Sequence, residues 1–199
     1  EAVAGIFIVI TMNSLNAPRF GFNVFGTAWG ELNMDVLMKN KLSNKLTLLS
    51  GLNIYTNPFA IDNNKDNFTD IPLQERYSVF NKFDFNNQGK SFHSLAARYI
   101  YEDRWGGEVQ FDKNFRGGDR IYGESIITQR YEIMGNSEFK KKNRTYKLMY
   151  SFSSHKQDAA YGENVFLADQ KIFFVQPYTY FQFKKTEMLP GISYRYNFY

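Results

Sequence analysis

The chain has 199 residues, a net charge of +4 and no cysteine, which excludes a disulfide scaffold and a thiolate zinc centre. Hydrophobic residues make up 43% and aromatic residues 18%, with 20 Phe and 14 Tyr; this excludes disorder and favours strands or a lipid interface. The 20 acidic residues are scattered among the 24 basic ones, against the one-sided positive charge of a nucleic-acid binder.

The first element is VAGIFIVI at residues 3–10, the longest apolar stretch. It is too short for a membrane helix, which needs about 20 residues. No initiator Met and no basic signal-peptide segment precede it, so the chain is expected to be an interior piece of something longer. From residue 30 onward the signal is alternation with a period of two. In ELNMDVLMKNKL, Leu32, Met34, Val36 and Met38 oppose Glu31, Asn33, Asp35 and Lys39. In SLAARYIYE, Leu95, Ala97, Tyr99 and Tyr101 oppose Ser94, Ala96, Arg98, Ile100 and Glu102. RTYKLMYSFSS sets Tyr146, Leu148, Tyr150 and Phe152 against Lys147, Met149, Ser151 and Ser153. The last strand, GISYRYNFY, sets Ile192, Tyr194, Tyr196 and Phe198 against Ser193, Arg195 and Asn197. No helical periodicity extends beyond two turns.

Two-faced strands fit a soluble antiparallel sheet with its apolar face in a core. They also fit a transmembrane barrel, with the apolar face in lipid and the polar face lining a wet lumen. The connections favour the barrel. Short breaks fall at Ser43-Asn44, Asn86 to Lys90, Lys140 to Asn143 and Lys184 to Glu187, alternating with long polar stretches at 57–75, 103–123 and 155–168. Short turns at one end and long loops at the other are the layout of an outer-membrane barrel, although GTAWG at 26–30 is tight at the long-loop end. Several strands also reach the roughly 10 residues that a tilted strand needs to cross a bilayer.

Three stretches bear on chemistry. AIDNNKDNFTD, residues 60–70, puts Asp62, Asn64, Asp66, the Phe68 carbonyl and Asp70 at calcium-loop spacing, with Asn67 at the left-handed turn position. Leu73 stands where an EF-hand has its bidentate Glu, and the same residues equally favour a solvated Asx-rich turn. FKKKNRTYK at 139–147 reads as a basic turn between strands. An enzyme is not expected: YGESII lacks the second glycine of a nucleophile elbow, and His93 and His155 stand alone.

The opening EAVAGIFIVIT resembles the end of the plug domain in TonB-dependent outer-membrane receptors, with Phe7-Ile8 where Ile-Asn is expected. FGTAWGELN, IDNNKDNFTDIPLQ, VFNKF, ARYIYEDRWGGE, FRGGDRIYGESIITQRYE, LADQKI and GISYRYNFY resemble the first half of the barrel in Bacteroidota-type members. The resemblance implies the plug end at residues 1–11, a linker at 12–18, and a partial antiparallel β-barrel at 19–199. That segment has room for about nine strands, whereas the family's barrel has about 22 around a plugged lumen. Such a piece cannot close alone, and a bilayer does not tolerate open strand edges.

The resemblance further implies an outer-membrane location and energy-coupled uptake of a large scarce nutrient, such as cobalamin or a ferric siderophore. TonB would act through a segment absent from this chain, and a surface lipoprotein is a possible partner. The long loops would face outward, and loop calcium occurs in cobalamin receptors. In YEDRWGGEVQFDKNFRGGDRIYGES, Trp105, Phe111, Phe115 and Tyr122 are suited to stacking on a flat ligand; Arg104, Arg116 and Arg120 are suited to pairing with its anionic groups. The ligand contacts expected first are Arg104, Trp105, Arg116 and Tyr122; the competing reading is an interface belt with packed loop arginines. Two other functions share the strand pattern: a small passive porin of about 8–10 strands, and a soluble calcium-dependent glycan-binding β-sandwich.

Overall fold

The computed structural model describes Met12, Ser14, residues 16–87 and residues 89–199. The plug tail expected at residues 1–11 lies outside the described residues. The chain forms one antiparallel sheet of ten strands, in the all-β class that the alternation implies. The strands are β1 (Phe20–Gly26), β2 (Leu32–Lys41), β3 (Leu46–Asn57), β4 (Leu73–Asn86) and β5 (Ser91–Gly107). They continue with β6 (Gly123–Lys141), β7 (Arg144–Tyr161), β8 (Asn164–Phe183), β9 (Thr186–Met188) and β10 (Tyr194–Phe198). From β1 to β8 each strand pairs with its neighbours in sequence; β8 also carries β9 and β10, and the sheet is open.

Register sorts the side chains onto two faces. One row across the sheet reads Phe22, Val36, Leu52, Val79, Tyr99 and Tyr131. A second reads Ile133, Phe152, Phe173 and Tyr196. These rows belong to one continuous apolar face, and no second layer covers it among the described residues. Val79 and Ile133, in the middle of long strands, are 44% and 48% exposed. Among the described residues the buried hydrophobic side chains are only Ala17, Leu49, Ala96, Phe111, Ala159 and Ala160. Burial of a large aliphatic or aromatic side chain contributes about 1.5–3 kcal/mol, so a bare face of this size forgoes roughly tens of kcal/mol in water.

The opposite face is polar and internally bonded. Asn53 Nδ2 donates to Asn33 Oδ1 at 2.9 Å and to Asp35 Oδ1 at 2.7 Å. On β5 and β6, the buried Glu132 carboxylate takes Arg98 Nε at 2.6 Å and Arg130 Nε at 2.7 Å. A polar wall crossed by such hydrogen bonds and ion pairs can face water or a wet interior.

Two sequence expectations change. Residues 155–168 are not a loop: β7 and β8 continue to a two-residue turn at Gly162-Glu163, with Gly162 at φ 56°. The polar run Lys156 to Asp158 hides a hairpin in which Asp158, Ala159 and Ala160 pair with Leu167, Phe166 and Val165. The last strand is also interrupted. Phe181–Met188, Tyr178–Gly191 and Val175–Tyr194 lie in one unbroken register along β8, but only Gly191 pairs between β9 and β10. Pro190 beside it has no N–H for the ladder.

Gly135 on β6 provides a packing test. A Cβ there would meet the Tyr150 ring at 2.4 Å and the Ser94 carbonyl oxygen at 2.8 Å. Gly135→Ala is expected to destabilise the sheet by about 1–3 kcal/mol, as overpacking does. Adding Tyr150→Ala should recover part of the loss, leaving the backbone contact; denaturation midpoints of the two variants check this.

Candidate functional site

The tight β1–β2 and β7–β8 turns and the two remaining long loops, 58–72 and 108–122, share one end of the sheet. The first loop is wound around Asp62. Asp62 Oδ1 accepts the N–H groups of Lys65 at 2.7 Å and Asp66 at 3.2 Å, and Oδ2 accepts that of Asn67 at 3.0 Å. Lys65 and Asn67 are left-handed, with φ 62° and 71°, which folds the backbone back onto that carboxylate. Asp66 Oδ1 accepts from Phe68 N at 2.8 Å, and Asp70 Oδ2 from Asn63 N at 2.8 Å. This is an Asx-turn array whose carboxylate oxygens already serve amides. Among the described residues, no group of three or more His, Cys, Asp or Glu side chains gathers as a metal would require.

The second loop docks onto the first. Thr69 N donates to the Gly107 carbonyl at 2.8 Å, and Val109 N to the Asn67 carbonyl at 2.9 Å. Phe68 and Glu108 form an isolated bridge. The Glu108 carboxylate takes Tyr122 N at 2.8 Å and Asn67 Nδ2 at 3.4 Å, so one acid ties both loops.

Between the loops lies a cavity of about 430 Å³ whose lining includes Phe68, Thr69, Arg104, Trp105, Tyr122 and Glu124. Three of the four expected ligand contacts, Arg104, Trp105 and Tyr122, line it, although Arg104 and Trp105 follow one another on β5 and project their side chains to opposite faces of the sheet. The Phe68 and Tyr122 rings lie 6.3 Å apart, tilted by 49°, and offer aromatic surface from both loops. Tyr122 Oη donates to Glu124 at 3.1 Å; that bond, and then the carboxylate charge, hold the phenol above its ordinary pKa. The site thus combines aromatic surface, one guanidinium and one carboxylate, Glu124, a set suited to binding a ligand with both flat and polar parts.

Arg116 is elsewhere. Its guanidinium pairs with Asp158 and donates from Nε to Ser125 Oγ at 3.3 Å, so it anchors the loop to β6 and β7. Phe111 is buried over Gly123, where a Cβ would overlap its ring at 2.2 Å. Lys113 lies 4.6 Å over the Trp105 ring and donates to the buried Asp103 at 2.6 Å. The bond to Asp103 raises the Lys113 pKa against the opposing effect of burial. Sequence reasoning missed Glu108, Glu124 and the Asp103–Lys113 pair. Each partner is a common polar residue whose role exists only once distant segments are paired.

Lys113→Ala leaves the Asp103 carboxylate buried without its ammonium and is expected to cost about 1–2 kcal/mol; Asp103→Asn in the same chain should return most of it. Because the folded Lys113 pKa is raised, its contribution is complete below the unfolded value of 10.5 and is lost as pH rises through the higher folded value. Unfolding midpoints at neutral and strongly alkaline pH check both statements. Asp62→Ala should speed amide exchange at Lys65, Asp66 and Asn67 about tenfold, equivalent to about 1.4 kcal/mol.

Comparison of the chain with protein-family models, curated proteins and solved structures finds no match in any of the three.

Proposed function

We propose that the chain is barrel wall and outer rim of a TonB-dependent outer-membrane receptor that imports a large scarce nutrient, cobalamin or a ferric siderophore being the first candidates. The observation that carries the reading is the single antiparallel layer whose apolar side chains stay bare on one face, opposite a bonded polar face. Hydrocarbon is the medium that stabilises such a face, and an aqueous lumen suits the other. Strands β5 to β8, of 17, 19, 18 and 20 residues, exceed the roughly 9–11 residues needed to cross and carry their hairpins beyond the bilayer.

In this reading the open edges at β1 and β10 pair with further strands of the receptor, and residues 1–11 end its plug. The cavity beneath Phe68 and Tyr122 belongs to the ligand-capturing rim, with Arg104 facing the anionic part of the cargo. TonB would drive release through the plug; the residues described here form the wall and the rim.

The test has two arms. The protein, tagged in a surface loop and expressed from its own locus, is expected in the outer-membrane fraction; recovery in the soluble fraction overturns the reading. In a deletion strain, restored uptake of labelled cobalamin or of a ferric siderophore identifies the cargo class, and restoration of neither removes both. Arg104→Ala should lower uptake about tenfold, as loss of a binding anchor does, with membrane abundance unchanged.

A further inference from the structure

The short turns have a different character from the loop end. On the apolar face, the last rows before these turns are aromatic: Phe85, Phe139, Tyr146, Phe181 and Phe183. His93 links this belt, with its ring 6.0 Å from Phe85 and 4.9 Å from Phe139. Immediately beyond the belt stand Lys90, Lys141, Lys142, Arg144, Lys184 and Lys185, all exposed. Among the described residues none of these six has an ion pair; the one nearby acid on β6, Glu138, is already taken by Lys140 and Lys147. The Arg144 guanidinium lies 4.7 Å over the Phe181 ring and the Lys184 ammonium 5.7 Å from the Phe183 ring. The Arg144 and Lys184 charges are thus set against the ring belt. The opposite end carries a contrasting density of acids, among them Asp62, Asp66 and Asp70.

We infer that this basic collar binds the phosphate-bearing headgroups of anionic phospholipids and fixes which end of the wall enters the anionic leaflet surface. Amphipathic rings settle at headgroup depth, and cations just outside them meet the phosphates there. Lys142 and Lys184 are the left-handed first residues of two-residue hairpin loops, with φ 53° and 55°. The tight turns therefore hold these cations close to the sheet. The inference rests on the membrane reading above, which supplies the bilayer against the apolar face.

The experiment uses the receptor that carries this chain, reconstituted into phosphatidylcholine vesicles containing a trace of spin-labelled phosphatidylglycerol or spin-labelled phosphatidylcholine. The motionally restricted fraction gives the relative association of each lipid. The wild-type protein is expected to prefer phosphatidylglycerol by roughly fivefold or more, and raised ionic strength should reduce that preference. A Lys141→Gln, Lys142→Gln, Lys184→Gln, Lys185→Gln variant should show a ratio near one with an unchanged restricted fraction of phosphatidylcholine. Equal association of both lipids with the wild type, or an undiminished preference in the variant, overturns the collar alone. Absence of any restricted lipid overturns the membrane reading and the collar together. The salt series needs no variant, so misfolding of the substituted protein leaves the test intact.

Discussion

The structure depends on the backbone ladder, which must be in one register across all its strands. Side chains alternate along a strand, so a slip of one residue at any pairing would carry that strand's apolar set to the polar face. The pairs Val36–Leu52, Leu52–Val79 and Val79–Tyr99 show the ladder meeting this requirement across four strands. The polar face imposes the same register independently, because Asn53 reaches Asn33 and Asp35, and Glu132 reaches Arg98, only when β2–β3 and β5–β6 are aligned as they are. With few large side chains buried, register and hydrogen bonding take the specifying role that a packed core has in a globular domain.

The sequence exposes this ladder well where alternation is clean. The opposed sets in β2, β5 and β7 lie on opposite faces as read, and the short turns fall where polar pairs interrupt the pattern. It was misleading where composition and pairing disagree. Lys156, Gln157 and Asp158 look like loop residues, yet they sit on a paired backbone, because their main-chain bonds to β8 do not depend on the polarity of the side chains. At the end of the chain GISYRYNFY pairs with β8 over Tyr194–Phe198, and the bonds from Thr179 N to the Pro190 carbonyl and from Ile192 N to the Pro177 carbonyl carry the ladder across the gap between β9 and β10.

At the loop end, local residues could be read and long-range partners could not. Asp62, Asn64 and Asp66 belong to one turn, and their spacing announces carboxylates that organise backbone, though it does not distinguish an ion from a set of amides. Arg104, Trp105 and Tyr122 stand out in the sequence by their chemistry, and all three line one cavity. Arg116 is of the same type and sits close by in sequence, but Asp158 from another hairpin claims it. A guanidinium serves whichever carboxylate the folded chain brings nearest, and that choice is invisible before β7 is in place.

Neighbour-to-neighbour strand order has a mechanical consequence. Apart from the loop-to-loop ties and the attachment of β10 to β8, each strand is held by the hairpins that precede and follow it. Tension applied along the chain would therefore detach this wall one hairpin at a time, like a zip, instead of shearing many strands at once. The Glu108 clasp spans the neighbouring β3–β4 and β5–β6 connections. It would act as a stitch that halts such peeling between two adjacent hairpins.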